Sequence, residues 1–119
     1  MKRDMELIRK LLIDISEGKA KQELSYDLEE DMIYEYHLDI MQQADLITLD
    51  KQGFMGGIFV GEPRLTWTGN DYLDSIANET VWSKTKEVIK NKGLEASSMP
   101  LDILIDLAKQ QFKNWIGID

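Results

Sequence analysis

The sequence predicts an α+β fold that is mostly helical, with one β-hairpin and additional helices after it. Three observations favour this class. Apolar residues recur at the 3.6-residue helical period in both halves of the chain. Between these helical segments the pattern becomes strand-like on both sides of a glycine-rich connection at residues 53–57. A single hairpin between helices, without strand–helix–strand alternation, is typical of α+β proteins.

Size and composition limit what the chain can be. Its 119 residues fit one domain, with a helix–helix–hairpin–helix core at 1–79 and a C-terminal helical extension at 80–119. The formal net charge of −8 disfavours a generally basic nucleic-acid or membrane binder, although a local basic patch remains compatible. Cysteine is absent, which excludes disulfides, thiolate zinc sites and cysteine nucleophiles. No apolar run approaches the ~18 residues of a membrane span, so we expect a cytoplasmic protein without membrane contact.

The first predicted helix covers residues 3–17. Its apolar side chains fall on one arc at about 100° per residue, the pattern of an amphipathic helix. Gly18 ends it, because glycine tolerates the left-handed conformation that follows many helices. The next segment is polar and has no clear period, so we interpret it as a loop. Whether a short helix lies between Lys19 and Tyr26 stays open.

The second predicted helix covers about residues 27–44. Asp27 is the expected N-cap, and Glu30 occupies the capping-box position. The outward stripe is expected to be acidic and consists of Asp31, Glu35 and Asp39. The inward arc is expected to consist of Met32, Ile33, Tyr36, His37, Ile40, Met41 and Ala44.

A β-hairpin follows the second helix. Its strands are predicted at 46–49 and 58–67, on either side of the glycine-rich loop. Gly61 and Pro63 are expected to interrupt the return strand with a bulge or bend, because proline cannot donate to a strand ladder.

Three helical segments complete the chain. Trp67 and Trp82 are expected to close the core where the hairpin meets these helices. The segments are predicted from Thr68 or Gly69 onward, at about 80–93, and from 101 to about 115.

Several blocks of the chain together resemble an uncharacterised family of small bacterial and prophage-encoded proteins, a domain of unknown function. The passages HLDIMQQADLI (37–47) and RLTWTGNDYLDSI (64–76) resemble the recognition-helix-to-wing passage of winged-helix domains. This resemblance implies a winged-helix-like fold and brings no catalytic residues. In such proteins a helix-ending glycine tends to stand where this chain has Asp45. The blocks are MKRDMELIRKLL, Tyr36-His37-Leu38, Ala44-Asp45-Leu46-Ile47, Arg64-Leu65-Thr66-Trp67 with Gly69, and Val81-Trp82-Ser83-Lys84-Thr85-Lys86.

Residues 25–45 carry the strongest local charge, with seven acids and no Lys or Arg. In a DNA-reading winged helix this element enters the major groove, where the phosphates would repel it. The stripe Asp31, Glu35 and Asp39 is compatible with a solvated face or with a surface for a basic protein partner. A divalent-metal site is disfavoured, because acids at i, i+4 and i+8 line up without converging on one ion.

Two further features bear on function. His37, the sole histidine, is interpreted as a hydrogen-bonded core residue, since a zinc site or a catalytic triad would need partners that the sequence lacks. The loop at 53–57 is not expected to bind phosphate, because a strand rather than a helix N-terminus follows it. Phe54 and Met55 are instead expected at an exposed wing tip that contacts a partner.

The basic residues support a different function. Lysines fill one side of the fourth helical segment, which is compatible with a solvated face or with a contact to the DNA backbone. The candidate residues for such a contact are Lys84, Lys86 and Lys90, joined by Lys51 and Arg64 of the wing.

The last helix is apolar over much of its circumference. Packing onto its own domain is the default for such a helix. So broad an apolar face in a small domain also suggests a homodimer, with a dimer face of Phe112, Trp115 and Ile116.

These patterns predict a non-catalytic, winged-helix-like interaction module that binds a protein partner, and the resemblance implies a relation to phages or mobile elements. The alternative is a DNA-binding transcriptional regulator that uses the wing and the lysine-rich surfaces. No cofactor and no metal are expected, because no nucleophile–base pair, metal-ligand set or phosphate loop emerges from the residues.

Overall fold

Five α-helices and five short β-strands make up the computed structural model over residues 2–117, the part of the chain that it describes. The α+β class is therefore confirmed. The elements are α1 Met5–Ser16, β1 Glu23–Ser25, α2 Glu29–Gln43, β2 Ile47–Thr48, β3 Lys51–Phe54, β4 Gly57–Val60, β5 Arg64–Leu65, α3 Trp67–Ile76, α4 Glu79–Asn91 and α5 Leu101–Ile116, with a 3₁₀ turn at Ala96–Ser98.

The chain divides into two compact units, Met1–Asn70 and Asp71–Asp119. The expectation of one domain over 1–119 stays a prediction. In the part of the chain that the structure describes, no helix combines the length and the apolar composition needed to cross a membrane.

The first unit contains two small antiparallel sheets. One has the strand order β1-β4-β3 and the other pairs β2 with β5. In the three-stranded sheet, Leu24 lies opposite Ile58, and Lys51 lies opposite Val60. Leu24, Ile58 and Val60 are buried, and successive strand residues point to opposite faces. The inner face therefore belongs to the core, and the outer face carries Phe59.

Strand β1 lies within the segment that the sequence predicts to be a loop. The open question of a short helix between Lys19 and Tyr26 is thereby answered, because residues 23–25 are extended and paired with β4. A three-residue strand is too short to show a period of two. Its partner lies more than thirty residues further along the chain, so no local pattern reveals the pairing.

The first residue of α2 and the set of its buried side chains differ from the prediction. Asp27 does not cap the helix, because Leu28 is the N-cap residue and makes no side-chain capping bond. The predicted inward arc is only partly right: His37 and Met41 are buried, whereas Ile33, Tyr36 and Ile40 are half-buried. The remaining buried residues of α2 are Asp31, Tyr34 and Leu38.

The chain leaves α2 through a left-handed residue. Asp45 has φ +61°, which confirms that this position has the conformation a helix-ending glycine would provide. The Thr66 hydroxyl donates to the carbonyl of Asp45, and the Thr66 backbone N–H donates to the carbonyl of Leu46 at 3.0 Å. Thr66 therefore fixes the path from α2 into β2.

Each tryptophan assigned to the core has a different outcome. Trp82 is buried at 1% exposure, as predicted, but Trp67 is 82% exposed and does not close a core. Trp67 is the first residue of α3, and buried Gly69 is the residue of that first turn that meets Leu46. The sequence pattern overestimates the burial of Trp67, because residue type alone does not reveal which side of a first helical turn faces the core.

The second unit is built on helices that pack against each other, α4 and α5. Val81, Trp82 and Ile89 of α4 are buried, as are Leu104 and Ala108 of α5. Helix α5 begins directly after Pro100, where the sequence predicts its start.

We expect Gly69→Ala to destabilise the protein, although alanine is the better helix former. A Cβ at position 69 would collide with the backbone carbonyl of Leu46, which cannot move without disturbing the Asp45 turn. Overpacking of this kind costs about 1–3 kcal/mol, and urea denaturation measures it. The matched control is Thr68→Ala in the same turn, at an exposed position. Equal stability of the two variants would contradict the close approach of Gly69 to the Leu46 carbonyl.

Candidate functional site

Asp31 is a buried structural acid and not the exposed partner contact that the sequence predicts. It is 5% exposed. One carboxylate oxygen accepts the backbone N–H of Ser25 at 2.9 Å, and the other accepts the ammonium group of Lys21 at 3.0 Å. The Ser25 hydrogen bond, followed by that from Lys21, lowers the pKa of Asp31 below its ordinary value of 3.8. The prediction fails because it placed every acid of the stripe in solvent. The segment before α2, which contains Lys21 and Ser25, covers Asp31.

Glu35 and Asp39, the other acids of the stripe, hold a lysine between them. The Lys51 ammonium lies 3.2 Å from a carboxylate oxygen of Glu35 and 2.6 Å from one of Asp39. Burial by itself would lower the pKa of Lys51, but the hydrogen bonds to Asp39 and Glu35 outweigh it and raise that pKa. Lys51 is therefore a charged partner of α2, which weakens its candidacy as a DNA-backbone contact.

These ion pairs join α2 to both edges of the three-stranded sheet. Lys21 and Ser25 belong to the β1 side, whereas Lys51 begins β3. The stripe Asp31, Glu35 and Asp39 thus spans from one edge strand to the other. We call this arrangement the two-edge clamp.

The hairpin of β3 and β4 presents apolar side chains to solvent. Met55, in the connecting turn, is fully exposed, as the sequence predicts. Phe54 is half-buried against Phe59, with ring centroids 4.4 Å apart. Phe59 is 49% exposed and was missed by sequence reasoning, although its place between buried Ile58 and Val60 signals an outward side chain. We call Phe54, Met55 and Phe59 the hairpin face.

Acids lie near the hairpin face, and Lys51, which lines a shallow cleft with Phe59, is paired with Glu35 and Asp39. Glu23 lies opposite Phe59 on β1, and Gln52 lies opposite it on β3. The backbone N–H of Tyr26 donates to the carbonyl of Gly56 at 3.0 Å, which brings the start of the α2 segment to the hairpin turn. Exposed Asp27, Glu29 and Glu30 follow at once, and residues 22–50 contain neither Lys nor Arg.

His37 is a core residue that ties α2 to the start of α1. It is 1% exposed. Its Nε2 lies 2.9 Å from the backbone nitrogen of Asp4, and its Nδ1 lies 2.8 Å from the carbonyl oxygen of Ile33. A backbone N–H can only donate, so Nε2 accepts and the proton sits on Nδ1. Asp4 in turn caps α1 through the N–H groups of Glu6 and Leu7, so His37 serves the fold.

A cleft of about 330 Å³ lies beside α1 and α2. Lys10, Lys19 and Lys21 line it, but Lys19 is paired with Glu17 at 2.9 Å and Lys21 with Asp31. Among residues 2–117, no cluster of three or more His, Asp or Glu side chains could hold a metal ion.

The other DNA-contact candidates lie on two elements, β5 and α4. Arg64 is exposed on β5, and Lys84 and Lys90 are exposed on α4. Lys86 lies over the ring of Trp82, with its ammonium 5.5 Å from the ring centroid.

Comparison with known proteins places the chain in a family. The family described as Hypothetical protein (DUF2513) matches residues 2–95. The chain belongs to this family. The DUF2513 match confirms the resemblance to an uncharacterised domain family. An uncharacterized protein of Haemophilus influenzae is 34% identical over 104 residues, which cover 82% of this chain and 86% of that relative. No solved structure matches the chain significantly.

The DUF2513 match ends before α5, where the predicted dimer face lies. Phe112 is half-buried, and its ring centroid is 6.2 Å from that of Trp115. Trp115 and Ile116 are 46% and 45% exposed. These side chains therefore remain accessible at the end of the helix.

Replacing Asp31 by Asn is expected to lower stability at neutral pH and to flatten its dependence on acid. The pKa of Asp31 is depressed in the folded protein, so the ionised carboxylate stabilises the fold above its ordinary pKa. That contribution disappears as the pH falls through the folded-state value. Urea denaturation between pH 7 and about pH 3 measures both effects.

The matched control is Asp27→Asn, four residues earlier and exposed. It should follow the wild-type curve. If Asp31→Asn follows that curve as well, the carboxylate does not hold Ser25 and Lys21 as described.

Proposed function

We propose that residues 1–70 form a winged-helix-type, non-catalytic interaction module that binds a protein segment through the hairpin face. The observation that carries this proposal is the apolar group on the hairpin, in which Met55 is fully exposed, Phe59 is half exposed and Phe54 is half-buried against Phe59. Exposed apolar groups rimmed by polar residues mark interaction sites.

The order of the elements supports the winged-helix assignment. Helix α2 leads into the glycine-tipped hairpin, and α3 follows it. In this assignment the β3–β4 hairpin is the wing, and α2 takes the place of the recognition helix. A fuller helix-turn-helix would have a further short helix between α1 and α2. Here that segment contains strand β1, which pairs with β4.

The charge of α2 favours a protein over DNA as the partner. A recognition helix in the major groove is flanked by phosphates and reads bases through Arg, Lys, Asn or Gln. Here α2 carries five acids and neither Lys nor Arg, and its glutamines, Gln42 and Gln43, are its last two residues. The nearby lysine of β3 is already paired with Glu35 and Asp39, so it does not offset this charge.

The same charge defines the chemistry of the partner. An apolar face next to Glu23, Asp27 and Glu29 complements a segment that combines aromatic or aliphatic side chains with Lys or Arg. Apolar contacts at the centre supply affinity, while the surrounding charges steer association and select against acidic partners. We therefore assign a basic, apolar protein segment as the ligand class.

Selection from a random peptide display library tests this assignment. We expect the enriched peptides to combine aromatic or aliphatic residues with Lys or Arg. The double variant Met55→Ser with Phe59→Ser should weaken a selected peptide at least about tenfold, which is ~1.4 kcal/mol, as measured by fluorescence anisotropy. The variant should stay folded because Met55 is fully exposed and Phe59 lies on the outer face of the sheet, half exposed, and circular dichroism checks this.

Leu94→Ser is the control, since Leu94 is also about half exposed but lies in the second unit. It should leave peptide binding unchanged. Enrichment of acidic peptides, or equal binding by the double variant, would refute the proposed site.

A DNA-binding regulator is the competing function, and it makes an opposite prediction. Anisotropy against pooled random duplex DNA should show no binding at about 50 mM or about 200 mM salt. Micromolar binding that weakens steeply between these salt concentrations would replace our proposal. In that event Lys84→Glu with Lys90→Glu should abolish binding, whereas Lys51→Ala, whose ammonium is paired within the fold, should not.

A further inference from the structure

One side of α5 carries an apolar stripe that the second unit does not fully cover. At about 100° per residue, Leu101, Ile105, Phe112 and Ile116 fall within an arc of about 60°. The first three are half-buried, and Ile116 is 45% exposed. The stripe lies next to Leu104 and Ala108, which are fully buried.

Charged residues follow the other border of this stripe in a self-complementary order. Asp102 and Asp106 lie in the first half of α5, and Lys109 and Lys113 lie in the second half. Asp102 and Lys113 are equally far from the midpoint between residues 107 and 108, as are Asp106 and Lys109. All of them are exposed.

We propose that α5 pairs with α5 of a second copy of this chain in an antiparallel arrangement about a two-fold axis. The rotation keeps the charged border of both helices on the same side of the interface. It therefore sets Asp102 of one copy against Lys113 of the other, and Asp106 against Lys109. In the same alignment Leu101 comes near Ile116, and Ile105 near Phe112. This isologous contact uses one surface patch twice.

The length of α5 sets the expected strength of this dimer. Its 16 residues are about 24 Å long at 1.5 Å per residue. A contact along a single helix of this length lies at the small end of specific interfaces. We therefore expect a dimer that dissociates on dilution.

The charge order also has an explanation within a single copy. Asp102 in the first turn and Lys113 in the last turn both favour the helix dipole, and Asp106 with Lys109 is a favourable i, i+3 pair. Lys109 also lies 3.8 Å from Asp71. These effects stabilise one helix and predict no association between copies. Charge reversal therefore distinguishes stabilisation within one helix from pairing between two copies.

The test uses two charge-reversed full-length proteins, Asp102→Lys with Asp106→Lys, and Lys109→Asp with Lys113→Asp. The mass in solution is measured by sedimentation over a concentration series. The wild type should rise from 13.8 kDa towards twice that mass. Each variant alone should remain monomeric, because its border carries one sign of charge and repels itself. An equimolar mixture of the two variants should associate again.

Restored association in the mixture is the decisive outcome, because an effect on the helix within one copy cannot be repaired by adding a different copy. Ile116→Ser should weaken the wild-type dimer without unfolding the domain. A wild type that stays at the monomer mass throughout, or variants that associate as it does, would overturn the proposal. The inference is independent of the hairpin face, so Met55→Ser with Phe59→Ser should leave the dimer intact.

Discussion

The two-edge clamp is the constraint on which the first unit depends. Helix α2 holds Lys21 and the Ser25 backbone through Asp31, and Lys51 through Glu35 and Asp39. These contacts reach both edge strands of the β1-β4-β3 sheet. A helix with this many acids would otherwise repel itself, since like charges at i, i+4 are destabilising. Lysines from flanking segments remove that repulsion and at the same time fix the sheet against the helix.

This arrangement gives the acidic stripe a structural role that the sequence does not predict. From the sequence, Asp31, Glu35 and Asp39 form an open surface for a basic partner. In the structure Asp31 is buried, and the other acids share one lysine. The exposed acids that our proposal assigns to recognition lie earlier in the chain, on Asp27 and Glu29, just after the contact of Tyr26 with the hairpin turn, whereas Glu30 lines the cleft beside Lys10 and Lys21. The stripe therefore stabilises the fold, and its exposed neighbours are the acids that our proposal assigns to recognition.

Features that depend on local chemistry were predictable from the sequence. Helices α1 and α5 and the glycine stop at Gly18 follow from period and backbone preference, whereas only the family resemblance pointed to a helix-ending position at Asp45. Features that depend on distant pairing were not. Strand β1 exists because it pairs with β4, and Asp31 turns inward because Lys21 and Ser25 cover it. Of the candidate site, the exposed Met55 was predictable from the hairpin pattern, whereas Phe54, expected to be exposed in the loop, lies in β3 and is half-buried against Phe59.

The clamp also supports our proposal that a short hairpin binds a partner. A two-stranded hairpin is marginally stable by itself in water, and a partner that binds it must also order it. Here β4 is paired on both sides, by β1 and β3, and Lys51 anchors β3 to α2. Phe54 and Phe59 therefore stand on strands that are already ordered before binding, which reduces the entropy cost of association. The acids that the sequence presents as a binding surface would then act on binding indirectly, by holding the strands that carry the apolar contacts.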